Sequence, residues 1–230
     1  MTLPDKTIAI RHAIAKIEDG ASVMIGGFGV PGTPFCLIKE LVRQGPQNLT
    51  IIKNDANETG MGVDWLLEAG QVAKLITSHI GLNGRAIKMM NEGKIKVEFS
   101  PQGILAERIR VAGAGTLGFV TDIGMGTDLA RGKTEITIGG KTGLLEPALQ
   151  ADFALVHAAK SDSFGNLVYA ATARNFNPLI AMAADFTIAE VETVLPVGHI
   201  PPDAVHTPGP FVDHVVALPS LPEVYGVVKR

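Results

Sequence analysis

Hydrophobic and polar positions along this chain alternate between two periods, and the switches between them predict its elements. Ile10, Ala13, Ile14 and Ile17 recur on one helical face after Pro4 and Asp5, which predicts an amphipathic helix closing at Gly20. The short apolar run Val23-Met24-Ile25 predicts a strand. It breaks into Gly26-Gly27-Phe28-Gly29-Val30-Pro31-Gly32, four glycines in seven residues, and helical spacing restarts with Leu37, Ile38, Leu41 and Val42. Thr33 stands where a residue caps that helix, and Pro34 suits its first position. The opening design is therefore strand, glycine loop, helix.

The alternation continues. A buried strand at 49–52 empties into Lys53-Asn54-Asp55-Ala56-Asn57, followed by a helix at 65–69, a strand at 72–78, a helix at 85–91 and a strand at 95–99. That strand runs into Ser100-Pro101-Gln102-Gly103 and a helix bearing Leu105, Ile109 and Val111. Strands separated by helices of this length predict parallel βαβ units. Residues 112–133 hold six glycines outside any period, which predicts a long loop, of the kind that serves function or a partner. Runs at 135–138 and 142–145 around Gly139-Gly140-Lys141 predict a β-hairpin appended to the main sheet. Strands at 153–157, 167–170, 186–191 and 212–218 complete the pattern, with a helix from Asn177-Pro178 through Ala184. The expected fold is α/β: one domain, residues 1–230, with an open, mostly parallel sheet flanked by helices and an appended β-hairpin.

The glycine loop carries the first chemistry. Glycines let backbone approach a ligand closely, and the helix start behind them offers unpaired N–H groups and a positive dipole end, so the natural guest is an anionic or polarised oxygen. A tight turn without a ligand is the alternative reading. Asn54 and Asp55 follow a strand, at the carboxyl edge where open α/β sheets place ligands, although the same residues also serve as caps and turns. Gln102 lies at the same edge.

Composition narrows the function. The chain has 230 residues, 46% hydrophobic and 19% charged, enough for a large core. A net charge of −3 argues against nucleic-acid and anionic-membrane binding. The first residues lack the continuous apolar stretch of a signal peptide, and no apolar run reaches the roughly 18 residues that span a bilayer, so the expected location is cytoplasmic. The single cysteine, Cys36, excludes an internal disulfide and reads as a small buried or half-buried thiol. Six scattered histidines form no ligand pair, and no metal is expected.

Motif tests leave one rival. Gly27-Phe28-Gly29-Val30-Pro31-Gly32 matches G-x-G-x-x-G, with Asp55 near the position of a ribose-binding acid, so an NAD(P)-binding oxidoreductase domain is an alternative. Against it, Pro31 sits where the binding helix should already be running. Gly140-Lys141-Thr142 is no phosphate loop, because Glu135 occupies the required glycine position. No Gly-x-Ser-x-Gly elbow occurs.

A wider set of residues carries a resemblance. Asp19-Gly20, Val23-Met24-Ile25 and Gly26-Gly27-Phe28-Gly29-x-x-Gly32-x-Pro34 resemble the signature of the alpha (A) subunit in family 1 CoA-transferases, which act on 3-oxoacids or short-chain acyl groups. Ser100-Pro101-Gln102-Gly103, Ala151-Asp152-Phe153-Ala154-Leu155, Gly165-Asn166-Leu167, Ala173-Arg174-Asn175-Phe176-Asn177 and Thr207-Pro208-Gly209 resemble it in the same order.

The resemblance implies transfer of CoA from an acyl-CoA to a free carboxylate, with CoA as substrate and no tightly bound cofactor. In the family a glutamate attacks the thioester, giving an acyl-glutamyl anhydride and then a glutamyl-CoA thioester. That glutamate lies in a Ser-Glu-Asn-Gly motif, and no Ser-Glu pair occurs in this chain. The resemblance therefore implies no catalytic nucleophile here, a CoA-transferase beta (B) subunit that supplies it, and an A2B2 heterotetramer. It assigns Gly26, Gly27, Phe28, Gly29, Val30, Pro31 and Gly32 to CoA binding, and Gln102 and Asn54 to the substrate. Glu107 and Glu146 are expected to be solvated or structural. Gly124-Met125-Gly126-Thr127 replaces the Gly-Tyr-Gly-Thr of some relatives that use dicarboxylic oxoacids. This leans towards acetate, butyrate or acetoacetate, with 3-oxoadipate and succinyl-CoA as the alternative pair.

Overall fold

The computed structural model describes residues 3–221 and Tyr225. The central strand is β1 (Ser22–Ile25). To one side lie β2 (Leu49–Ile52), β3 (Val72–Thr77) and β4 (Lys96–Phe99), each parallel to its neighbour. To the other lie β8 (Ala151–Asp162), β10 (Ala184–Leu195) and β11 (His214–Ala217), also parallel. The two-residue β9 (Leu167–Val168) pairs antiparallel with β8 and completes an eight-stranded sheet. A second sheet of three antiparallel strands is ordered β5 (Gly118–Thr121), β7 (Lys141–Pro147), β6 (Glu135–Ile138).

Strand periodicity divides the core into two layers, because successive side chains leave a strand on opposite faces. Val23, Ile25, Ile51 and Leu75 enter one cluster, under the helices α1 (Ile10–Ile14), α2 (Phe35–Gln44), α3 (Val63–Glu68) and α4 (Gly84–Asn91). Met24, Ile52 and Ile76 enter the other, under α5 (Gln102–Gly113) and α6 (Asn177–Met182). The α/β architecture expected from the sequence is thus present, with helices on both faces of a mostly parallel sheet.

Four details differ from the sequence pattern. The first helix ends at Ile14, and Ile17 reaches the core from the turn that follows. Residues 112–133 are not all loop: β5 lies inside them, and the hairpin pairs with it in the second sheet rather than with the main one. Glycine hides this strand, because a Cβ on Gly118 would stand 2.5 Å from the Glu146 carbonyl oxygen across the pair. β8 and β10 each run for twelve residues, well past the end of β1, because they pair with each other from Ala151–Ala184 through Asp162–Leu195. Finally, Thr33 does not cap α2. Its Oγ1 donates to the Gly29 carbonyl at 2.6 Å, Pro34 itself is the N-cap, and the first turn is served from outside, where the Leu37 N–H donates to Glu190 Oε2 at 2.8 Å. A buried carboxylate there meets the positive end of the helix dipole.

Candidate active site

Chain order reverses at β1: β2 follows on one side, while the later β8 lies on the other. Such a switch point opens a crevice at the carboxyl edge of a parallel sheet. The glycine loop leaves β1 at that edge. Gly27, Gly29 and Gly32 have φ of +97°, +58° and +78°, conformations open to glycine at little cost. The loop closes on itself through Phe28 N–H to Pro31 O at 3.1 Å and Thr33 N–H to Val30 O at 3.1 Å. The N–H groups of Gly27, Val30 and Gly32 have no partner among the described residues. Those are the free donors an oxygen ligand would use.

Three asparagines and an aspartate hold the loop from outside, Asn175 by donating from Nδ2 to the Pro31 carbonyl at 3.0 Å. The fully buried Asn177 donates to the Gly32 carbonyl at 3.0 Å and to the Ala173 carbonyl at 2.8 Å, and it accepts from the His157 N–H at 3.2 Å. Asn57 Nδ2 donates to the Gly29 carbonyl at 2.8 Å. Asp55 accepts the Gly29 N–H at 2.9 Å and the Asn57 N–H at 2.8 Å, and pairs with the Nζ of fully buried Lys53 at 3.1 Å. Burial alone would raise the Asp55 carboxyl, but the Lys53 charge and the backbone donors outweigh it and hold the group below its ordinary value. Lys53 is itself lowered, by burial first, with Asp55 opposing. Asp55 is thus spent on the glycine loop and Lys53, not offered to a ribose.

The other assigned residues are dispersed along the edge. Asn54 is fully buried, donates to Asp55 Oδ2 at 3.1 Å, and accepts from Ser78 Oγ at 3.1 Å. Gln102 opens α5 just past β4, exposed and with its amide unpaired among the described residues. Three strand spacings, roughly 14 Å, separate β4 from β1. Gln102 and the glycine loop therefore share an edge without touching. Glu107 is paired with Arg110 on the surface and Glu146 with Lys133. Cys36 is half-buried, and burial pushes its thiol up to about 11, against nucleophilic use.

Two groups of residues escaped the sequence pattern. Between the loop and the ends of β2 and β3 lies a small cleft of about 80 Å³, walled by Phe28, Val30, Met61, Ile80 and Leu82. The His79 imidazole lines it too, its only sequence signal being a polar residue just beyond a strand end. Beneath the start of α2, His157 bridges Glu190 at 2.9 Å and Glu192 at 3.2 Å, and the Tyr225 hydroxyl touches His157 Nδ1 at 3.1 Å, Glu190 Oε1 at 3.0 Å and the Thr33 carbonyl. This cluster joins residues from β8, β10 and the C-terminal segment, so no local motif could announce it.

The His157 cluster makes a pH-dependent contribution to stability. Burial opposes the charged imidazole, but hydrogen bonds and charges of Glu190 and Glu192 prevail and raise it above its ordinary 6.5. A raised folded value means the stabilisation is full below 6.5 and lost as pH climbs through that raised value. In urea titrations, His157→Gln should therefore cost about 2 kcal/mol near pH 6 and distinctly less near pH 9. An equal cost at both pH values would contradict a charged His157.

Comparison with known proteins bears on the same residues. The family model described as Coenzyme A transferase matches residues 7–218. The alpha subunit of a "Probable coenzyme A transferase" of Bacillus subtilis (strain 168) is 49% identical over 212 residues, 92% of this chain and 93% of the relative. The alpha subunit of the acetate CoA-transferase of Escherichia coli (strain K12) is 43% identical over 211 residues, 92% and 96% of the two chains. The crystal structure of the acyl-CoA transferase YdiF apoenzyme from Escherichia coli O157:H7 superposes with a TM-score of 0.85 at 25% identity, over 97% of this chain. This chain spans about half of that protein, 48% of its length. With its glycine loop at the switch point of a parallel sheet, and with alpha-subunit relatives matched over nearly their whole length, the chain belongs to the coenzyme A transferase family.

Proposed function

We propose that this chain is the alpha subunit of a CoA-transferase, moving CoA from a short-chain or 3-oxo acyl-CoA to a free carboxylate such as acetate, butyrate or acetoacetate. The observation that carries this reading is a pinned loop with free N–H groups in a chain whose own buried carboxylates are occupied. Asp55 is held by Lys53 and backbone, Glu146 by Lys133, and Glu190 by His157 and the Leu37 N–H. A loop of this kind supplies oxyanion donors and no nucleophile. The attacking glutamate then belongs to a beta subunit, the pair assembling as an A2B2 heterotetramer in the cytoplasm. Residues 1–230 act as one alpha-subunit domain, with CoA as substrate rather than resident cofactor. Gly26 to Gly32 receive CoA, Gln102 reaches the acyl portion from the β4 side, and Asn54 serves the substrate from below by orienting Asp55.

Reconstitution tests this. Acetoacetyl-CoA consumption with acetate should appear only when this chain is mixed with a cognate beta subunit, and activity from this chain alone would overturn the division of labour. Within the active mixture, Gln102→Ala should lower kcat by about 100-fold with assembly intact, the loss typical of one oxyanion donor. Unchanged kinetics would remove Gln102 from the site.

A further inference from the structure

The cleft beside the glycine loop has a chemistry of its own. Its mouth is framed by the rings and chains of Phe28 and Leu82, 45% and 66% exposed, and its depth by Ala56 and Ile80, both buried. Apolar surface dominates, as in sites for small ligands. Two of its lining residues carry a polar group without a partner among the described residues, Val30 its N–H and His79 its ring. At about 80 Å³ it is well below the roughly 300–1,000 Å³ of sites for drug-sized ligands, the scale of a short carbon chain. Its charge is also defined. Asp55 is neutralised by Lys53, whereas Glu58 on the rim is exposed and its carboxylate has no partner among the described residues. The rim is therefore net negative.

We propose that this cleft is the acyl-chain site and selects short, uncharged acyl groups over dicarboxylic ones: Phe28, Ile80 and Leu82 enclose the chain, Val30 N–H and His79 hold an acyl oxygen at its mouth, and Glu58 repels a terminal carboxylate. The inference rests on the CoA-transferase reading and adds its substrate class. Leu82 sets the chain length admitted, and Glu58 sets the charge admitted.

The test uses the complex assembled with the beta subunit. With acetyl-CoA as donor, butyrate should be preferred to succinate at least about tenfold in kcat/KM. Leu82→Ala should raise hexanoate relative to butyrate by about tenfold, the scale of a methylene or two in an apolar pocket. Glu58→Lys should shift the balance towards succinate by a similar factor. Calorimetric titration with butyryl-CoA and succinyl-CoA provides a readout that does not need turnover, and it should show the same preference and the same reversal. Equal binding of the two thioesters, or a preference that neither variant moves, would overturn the assignment of the cleft. A calorimetric preference that responds to both variants, in a complex that transfers CoA to no acid, would sustain the cleft and count against the transferase reading instead.

Discussion

Gly32→Ala is expected to abolish most transfer activity, at least about 100-fold in kcat, while the complex still assembles. A Cβ at this position would stand 2.4 Å from Asn177 Nδ2 and 2.7 Å from the Ala173 carbonyl oxygen, and Gly32 has φ +78°. The left-handed backbone costs a residue with a Cβ about 1–2 kcal/mol, and forcing the atom against buried neighbours about 1–3 kcal/mol more. Asn177 cannot retreat freely, since it also bonds Ala173 and His157. The loop must move instead, and a displacement of about 1 Å is enough for a 100-fold loss. Gly20→Ala separates strain from contact. Gly20 has φ +81° but nothing within 4 Å of the added Cβ, so that variant should lose about 1–2 kcal/mol of stability and no activity. Steady-state kinetics and thermal melts of both variants check this. Full activity in Gly32→Ala would show that the loop's exact path is immaterial.

Asp55→Ala should carry the largest stability cost in the site, about 3–5 kcal/mol, because it strands the fully buried Lys53 charge. It also leaves the N–H groups of Gly29 and Asn57 without their acceptor. Because Asp55 is held below its ordinary 3.8, its contribution is complete above that value and disappears only as pH falls through the lowered one. The deficit should therefore be fully expressed at neutral pH in denaturant titrations. Lys53→Met combined with Asp55→Ala should recover part of it by removing the orphaned charge. A loss below about 1 kcal/mol for the single variant would mean that Lys53 is not charged against Asp55.

Much of this architecture is legible in the sequence where one local rule decides. The Val23-Met24-Ile25 run, the glycines that follow and the helix ending at Gly45, whose φ is +80°, each rest on propensity or backbone freedom. The α/β class follows from the alternation itself. What the sequence hides is non-local. Thr33 has the right identity for a cap, yet Gly29 lies within reach of its hydroxyl and Glu190 arrives from β10 to serve the helix instead. Asn177 reads as the start of a helix, and only the packed structure brings its amide to Gly26 and Gly32. β5 is masked because its glycine contributes no hydrophobic period. His79, His157 and Glu190 carry no motif and acquire their roles from the strands beside them. Of the site residues named from the sequence, Gly29 and Asp55 meet directly, Asn54 donates to Asp55, and Gln102 stands apart at the start of α5.

In the proposed function this chain shapes the site and its partner performs the attack. Intact-mass measurement of both chains, after the assembled complex is mixed with acetoacetyl-CoA without an acceptor, tests it most directly. CoA is expected as a thioester on the beta subunit, removed by hydroxylamine, with the mass of this chain unchanged. A CoA adduct on this chain would place the nucleophile among its own carboxylates and overturn the assignment of the attack to the partner.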